Sequence, residues 1–320
     1  YEGTGYGIPT NNETMGFIWN SKIFKEAGLD PEAAPATWDD VVTYSKQIKD
    51  KLGISGFGLV ARQNAGNTPF RFMPQLWAYG GGALDEASET PGYKDVWINN
   101  EGSKQALQAA VDMYVRDKSV PTSALTNTQA ENQAPFISGQ LAMMISHPAE
   151  YARMLDLASK ATGADKAVAD EVVANMRYGL LPEGPARRAV VFGGSNIHVV
   201  KPEYVEGGAY DEQAVKALIC MWTSPEWSTK LAWVGSNPGH LGGFKTEWMK
   251  ERLETIPFLD VTTSMLPNGI PFPVIPEAPE IMNIIIPDMM QNALTGSMTV
   301  DQAVEDAAQK IQGVVSGGGI

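Results

Sequence analysis

Apolar residues along the chain recur with two periods, one helical and one extended. Thr37-Trp38-Asp39-Asp40 predicts an N-cap with a carboxylate three residues on, and Val41, Tyr44, Ile48 and Leu52 continue one apolar face. Phe70 to Tyr79 reads as a helix ended by Gly80-Gly81-Gly82, where positive φ is tolerated. Ser103 to Asp117 is a further helix, with Ala106, Ala110, Met113 and Tyr114 on one side. Ser224-Pro225-Glu226 starts another, and Thr299 repeats that logic for Val300 to Ile311. Extended segments are predicted at Ile54 to Val60, in the second half of Phe136 to Ile145, at Tyr178 to Leu181 and at Ala189 to Val200. The last two are joined by a Pro-Glu-Gly-Pro turn. This alternation predicts layered α/β lobes, and the glycine-rich tail from Ser316 is expected to fray.

Composition narrows the function more than the fold. With 320 residues and 43% hydrophobic content, the chain is long enough for two lobes. Acidic residues outnumber basic ones 37 to 24, a net charge of -13, which argues against nucleic acid and for small-molecule or protein partners. Cys220 stands alone, so no internal disulfide is available. No apolar stretch approaches the ~20 residues that span a bilayer, and nothing resembling a signal peptide begins at Tyr1. The histidines and the cysteine are not spaced as a zinc site, so no metal and no cofactor are expected. Gly-x-Ser-x-Gly is absent, and the glycines in "FGGSN" and "YGGG" follow no phosphate-loop pattern. Acids are plentiful, so composition leaves a two-carboxylate glycoside hydrolase open.

Motifs carry the more specific reading. Tyr6-Gly7-Ile8-Pro9, then Phe17-Ile18-Trp19-Asn20, then Phe24-Lys25-Glu26-Ala27-Gly28 are followed by "FISGQLAMMISHP", "GLLPEGPARRAVVFGGSNIHVVK", "MWTSPEW" and "QNALTGSMTVDQAV". In this order they resemble the extracellular sugar-binding proteins of ABC importers, the family that includes maltose-binding protein. Each motif is weak alone; the order is what makes the resemblance specific, and it covers nearly the whole chain. It implies an α/β, two-lobe periplasmic-binding-protein fold, type II-like, with a hinge of crossing strands. It also implies that residues 1–9 are a crossing and a remnant of the first lobe, and that residues 10–193 plus 255–320 form the second lobe. Residues 194–254 would then be an inserted part of the first lobe, which is expected to be incomplete, its opening strands preceding Tyr1. An apolar face including Leu218, Met221, Trp222 and Leu231 is expected to lack cover within the chain.

Sugars present C–H patches beside hydroxyls, so aromatic faces and polar side chains at strand ends are the natural candidates. Asn11, Asn12 and Glu13 follow the first crossing strand and read either as hydroxyl contacts or as a polar turn. Phe70 and Arg71 match the place where the family commonly presents an aromatic or polar contact, although Phe70 also fits packing under its helix; Trp77 fits the core better. His147 occupies the ligand loop, with Glu150 and Tyr151 behind it, while Ala149 stands where relatives stack a ring. Gly194, Ser195 and Asn196 end the return strand, as a ligand-facing bend, a hinge, or both. His240, in a loop resembling "G-x-x-P", is expected to face the site from the other lobe, and Asn283 replaces a frequent aromatic. The weight of polar over aromatic candidates favours a small, well-hydroxylated ligand, a mono- or disaccharide, glycoside or polyol.

The resemblance implies a binding protein rather than an enzyme, which delivers a carbohydrate or polyol to the transmembrane permease subunits of an ABC importer. The expected location is periplasmic, or extracellular and membrane-tethered, and the complete protein is expected to be a monomer. The alternatives are a carbohydrate-active enzyme and a ligand-presenting partner of a chemoreceptor.

Overall fold

The computed structural model describes residues 7–85, 95–198, 206–208, 211–232 and 236–317, with the backbone alone at 195–198. The expectations for Tyr6 and for the last glycines of the tail lie outside these residues. The first strand, β1 (Gly7–Glu13), runs almost directly into β2 (Gly16–Asn20), yet the two belong to different sheets. In β2 every residue is buried, as expected of a strand covered on both faces. Asn20 ends it by turning its side chain onto the Lys22 and Ile23 amides, capping α1 (Ser21–Ala27). Next comes α2 (Trp38–Leu52), whose Thr37–Asp40 capping box forms as its sequence predicts.

The extended segment expected at Ile54 to Val60 is shorter, β3 (Ser55–Phe57). Gly56 approaches Ser45 of α2 so closely that a side chain there would clash with its backbone. Then α3 (Asn67–Ala78) opens three residues before the expected start at Phe70. The next helix, α4 (Glu101–Val111), passes into a π-helical turn, Asp112–Arg116. It is followed by α5 (Ala130–Ile137), β4 (Leu141–Ser146), α6 (Pro148–Lys160), α7 (Gly163–Ala174) and β5 (Met176–Gly179). The expected return strand is split at Phe192 into β6 (Val190–Val191) and β7 (Gly193–His198).

Beyond these lie α8 (Glu212–Trp222), α9 (Pro225–Leu231), β8 (Asn237–Pro238), α10 (Glu247–Thr255), α11 (Pro257–Met265) and β9 (Gly269–Ile270). The chain closes with α12 (Ile286–Leu294) and α13 (Val300–Val315).

One sheet has the order β3-β4-β2-β5, with β3 parallel to β4 and the other pairs antiparallel. Its strands alternate between two cores. Phe17, Trp19, Phe57, Met143 and Ile145 face the larger, which α1–α4, α12 and α13 cover. Ile18 and Met144 face the smaller, closed by α5–α7 and Phe258 of α11, with Leu141 packing into it at the strand end. A second sheet, β7-β1-β8, stands beside it with α9 against β1 and β8. Gly194 in β7 has φ 147°, and a Cβ there would lie 2.3 Å from the Asn11 carbonyl oxygen. Glycine is what allows β1 and β7 to approach. A third, two-stranded sheet pairs β6 with β9. The chain changes sheet at Thr14–Met15 and at Phe192, and near Ile256 it returns from α10, beside α9, to α11, which packs on β2.

Candidate functional site

A cavity of about 740 Å³ opens where these three passages converge, and each contributes to its wall: Glu13 to Met15, Val191, and Ile256. The remaining wall comes from element ends. Asn67, Phe70 and Arg71 lie in the first turns of α3, and residues 147 to 153 begin α6. Gln129 sits immediately before α5. The starts of two helices therefore present side chains to one space.

The buried anchor is an ion pair between Arg71 and Glu150, whose side chains are 8% and 5% exposed. Arg71 also donates to Asn67 Oδ1 at 3.3 Å. Glu150 Oε2 accepts from the His147 amide at 3.2 Å and from the Ser146 hydroxyl at 3.4 Å, so the carboxylate is held from the start of its own helix. Removing either partner would leave a charge buried without compensation.

His147 is fixed as a single donor. Its Nδ1 accepts from the Ala149 amide at 3.1 Å, which caps α6 and leaves the proton on Nε2. That nitrogen lies 3.2 Å from Glu13 Oε2, within reach of the carboxylate. The opposite oxygen of Glu13 accepts from the Ser236 hydroxyl at 2.7 Å, tying β1 to the approach to β8. The neighbouring His147, with help from Ser236, holds the Glu13 carboxyl below its ordinary value against the opposing effect of burial.

The polar side chains on this wall that keep some exposure are Glu13, Asn67, Gln129, His147 and Arg153. A carboxylate, two amides, an imidazole and a guanidinium together are suited to a ligand carrying several hydroxyls, each able both to give and to accept. Apolar surface is supplied by Phe70, whose ring meets Phe272 edge to face at 4.9 Å. Among the described residues no cluster of His, Cys, Asp and Glu could hold a metal ion, and no helix is long and apolar enough to cross a membrane.

Of the sequence candidates, the cavity brings together Glu13, Phe70, Arg71 and His147. Asn11 and Asn12 lie within β1; Asn11 is buried opposite Ser195 and Pro238, and the Asn12 amide reaches the Pro238 carbonyl at 3.4 Å. Gly194, Ser195 and Asn196 are paired with β1 in β7, and the side chains of Ser195 and Asn196 lie outside what is described. His240 is exposed and caps the 3-10 turn Leu241–Lys245 through Gly242, away from this wall. Asn283 belongs to the π-helical turn Ile281–Ile285, with its Oδ1 against Gly66. Sequence reasoning missed Gln129 and Asn67, which no motif marks; each is recognisable only as a polar residue at a helix start.

Comparison with known proteins places this geometry. Residues 1–228 match the family described as bacterial extracellular solute-binding protein. A protein of Sinorhizobium fredii named "probable amino-acid ABC transporter periplasmic-binding protein" is 22% identical over 306 residues, 96% of this chain and 63% of its own length. The sn-glycerol-3-phosphate-binding periplasmic protein UgpB of Shigella flexneri is 22% identical over 307 residues, 94% of this chain and 65% of its own. The chain thus spans less than two thirds of the length of these relatives. Among solved structures, an ABC transporter solute-binding protein of Thermotoga lettingae bound with α-D-tagatose has a TM-score of 0.75 at 22% identity. The match covers 98% of this chain and 74% of that one, and it shows a shared fold.

Proposed function

Because the chain belongs to the bacterial extracellular solute-binding protein family, whose members bind solutes rather than transform them, we propose that it binds a small polyhydroxylated solute for delivery to a membrane ABC importer. The ligand class we infer is a mono- or disaccharide, glycoside or polyol. The observation that carries this reading is the convergence of all three passages on one cavity whose wall sets Glu13, Asn67, Gln129 and His147 beside the ring of Phe70. Hydroxyls that pair with these side chains discriminate against a solute lacking them, because closure would then bury the polar groups unpaired. We further propose the lobe division that the resemblance implies, with one correction. Residues 10–13, in β1 and so paired with β7 and β8, go with 194–254 and not with 14–193 and 255–320, so that closure about the passages excludes water from the ligand. The permease partners and a periplasmic or membrane-tethered extracellular location follow from the same reading. The T. lettingae protein bound with tagatose supports a sugar; the relatives named for glycerol phosphate and amino acids mark the competing ligands.

A thermal-shift screen of the whole protein tests this directly. Mono-, di- and trisaccharides and polyols are compared with sn-glycerol 3-phosphate and amino acids. A ligand present at a hundredfold over its Kd stabilises the native state by about 2.7 kcal/mol, readily seen as a rise in Tm. A rise with an uncharged hydroxylated compound, recovered unchanged, is expected. A rise confined to the phosphate ester or to amino acids would overturn the ligand class, and conversion of an oligosaccharide to products would overturn binding as the function.

A further inference from the structure

On the far side of Phe70 lies a second cavity, of about 270 Å³, lined by Met73, Trp77, Ala83, Leu84, Phe272 and Met282 among others. The six side chains named are apolar, where the first cavity carries several polar ones. The Pro271-Phe272-Pro273 segment that closes it contains two residues with no N–H to donate. An apolar cavity of about 150 Å³ stays dry and accepts benzene, so this one has room for an aromatic ring or a short alkyl group. Met73 and Met282 add polarisable thioethers that favour an aromatic occupant.

The two cavities share a wall. Phe70 lines the polar one, Phe272 the apolar one, and their rings meet edge to face at 4.9 Å. Phe70, Met73 and Trp77 lie at i, i+3 and i+7 on α3, a single helix face that spans about 10 Å from one cavity to the other. From this adjacency we infer that the second cavity is a subsite for an apolar substituent, an aryl or short alkyl aglycone, of the same ligand whose hydroxylated head occupies the polar cavity and which reaches past the Phe70–Phe272 contact. The inference rests on the reading of the polar cavity as the solute site. An aryl group placed beside Phe272 extends the edge-to-face contact already present and buries ring surface against Trp77 and the two methionines.

The test separates the two readings. The protein is labelled at its methionine methyls, with Met73 and Met282 assigned by Met73→Leu and Met282→Leu, and titrated with phenol alone. Methyl and phenyl glycosides of glucose, galactose and mannose are then compared by calorimetry. We expect phenol to shift both methyl signals, and the phenyl member of at least one pair to bind roughly tenfold tighter than its methyl partner. Ala83→Leu, which fills the cavity, should abolish the phenol shift and the phenyl preference while leaving the methyl glycoside affinity unchanged. Should that variant not fold, Pro271→Trp at the exposed rim carries the same test. Phenol that shifts neither methyl overturns the subsite, whatever the methyl glycosides do. Phenol that shifts both without a phenyl preference overturns its sharing of the ligand. Failure of every methyl glycoside to bind, by contrast, counts against the polar-cavity reading.

Discussion

Two helices with similar sequence logic have different fates in this molecule. Thr299 caps α13 through a box with Gln302, and its apolar positions Ala303, Val304, Ala307, Ile311 and Val314 are all buried against the larger core. Asp211 caps α8 just as cleanly by accepting from the Ala214 amide. Yet none of the α8 side chains is buried, and Leu218 and Met221 remain 43% and 39% exposed. Caps and periodicity specify a helix and its apolar stripe within a few residues of sequence. Whether anything covers the stripe is decided by elements far away, and α13 has α4 and α12 where α8 has chiefly α9. The same contrast separates the β3-β4-β2-β5 sheet, buried on both faces, from the smaller β7-β1-β8 assembly.

The contrast is most strongly tested inside the well-covered region. Arg71→Ala should destabilise the protein by about 3–5 kcal/mol, because Glu150 would be left charged and buried. Urea unfolding measures it, and Glu150→Gln in the Arg71→Ala background should recover part of the loss. Next, Ile311→Ala in α13 should cost about 2–5 kcal/mol, while Leu218→Ala in α8 should stay within about 0.5 kcal/mol. Equal losses at Ile311 and Leu218 would break the comparison, since they would mean that α8 is as well covered as α13.

The smallest effect lies where the two regions meet. Glu13 titrates below its ordinary value of 4.5 in the folded protein, held there first by His147. Its contribution to stability is therefore present above about pH 4.5 and fades as pH falls through the lower folded value. Melting curves of the native protein and of Glu13→Gln should converge as pH falls below about 4.5. Curves that stay parallel through this window would show that the carboxylate gains nothing from its neighbours.

What was legible in the sequence divides along the same line. The caps at Thr37, Ser224 and Thr299 were readable because each bond spans only a few residues. Glu13, Phe70, Arg71 and His147 were readable as candidates because they sit where a strand ends or a helix opens, matched to a family pattern. Their partnerships were not. Arg71 meets Glu150 across 79 positions, and Glu13 meets Ser236 across 223, distances over which no local pattern carries information. Nor was α7 foreseen, since only Ala169 and Val172 are buried and its apolar stripe is thin. Asn11 and Asn12 illustrate the converse, polar residues after a crossing motif that the fold engages in holding β1 to its neighbours.

The central claim is that the cavity at the three passages is the solute site. Calorimetry with the hydroxylated ligand giving the largest thermal shift tests it most directly, comparing the native protein with Glu13→Gln, His147→Ala and the distant Leu218→Ala. The account predicts that each cavity variant loses about 1–3 kcal/mol of binding free energy while Leu218→Ala binds as the native protein does. Native affinity in both cavity variants, with their folds intact, would contradict it.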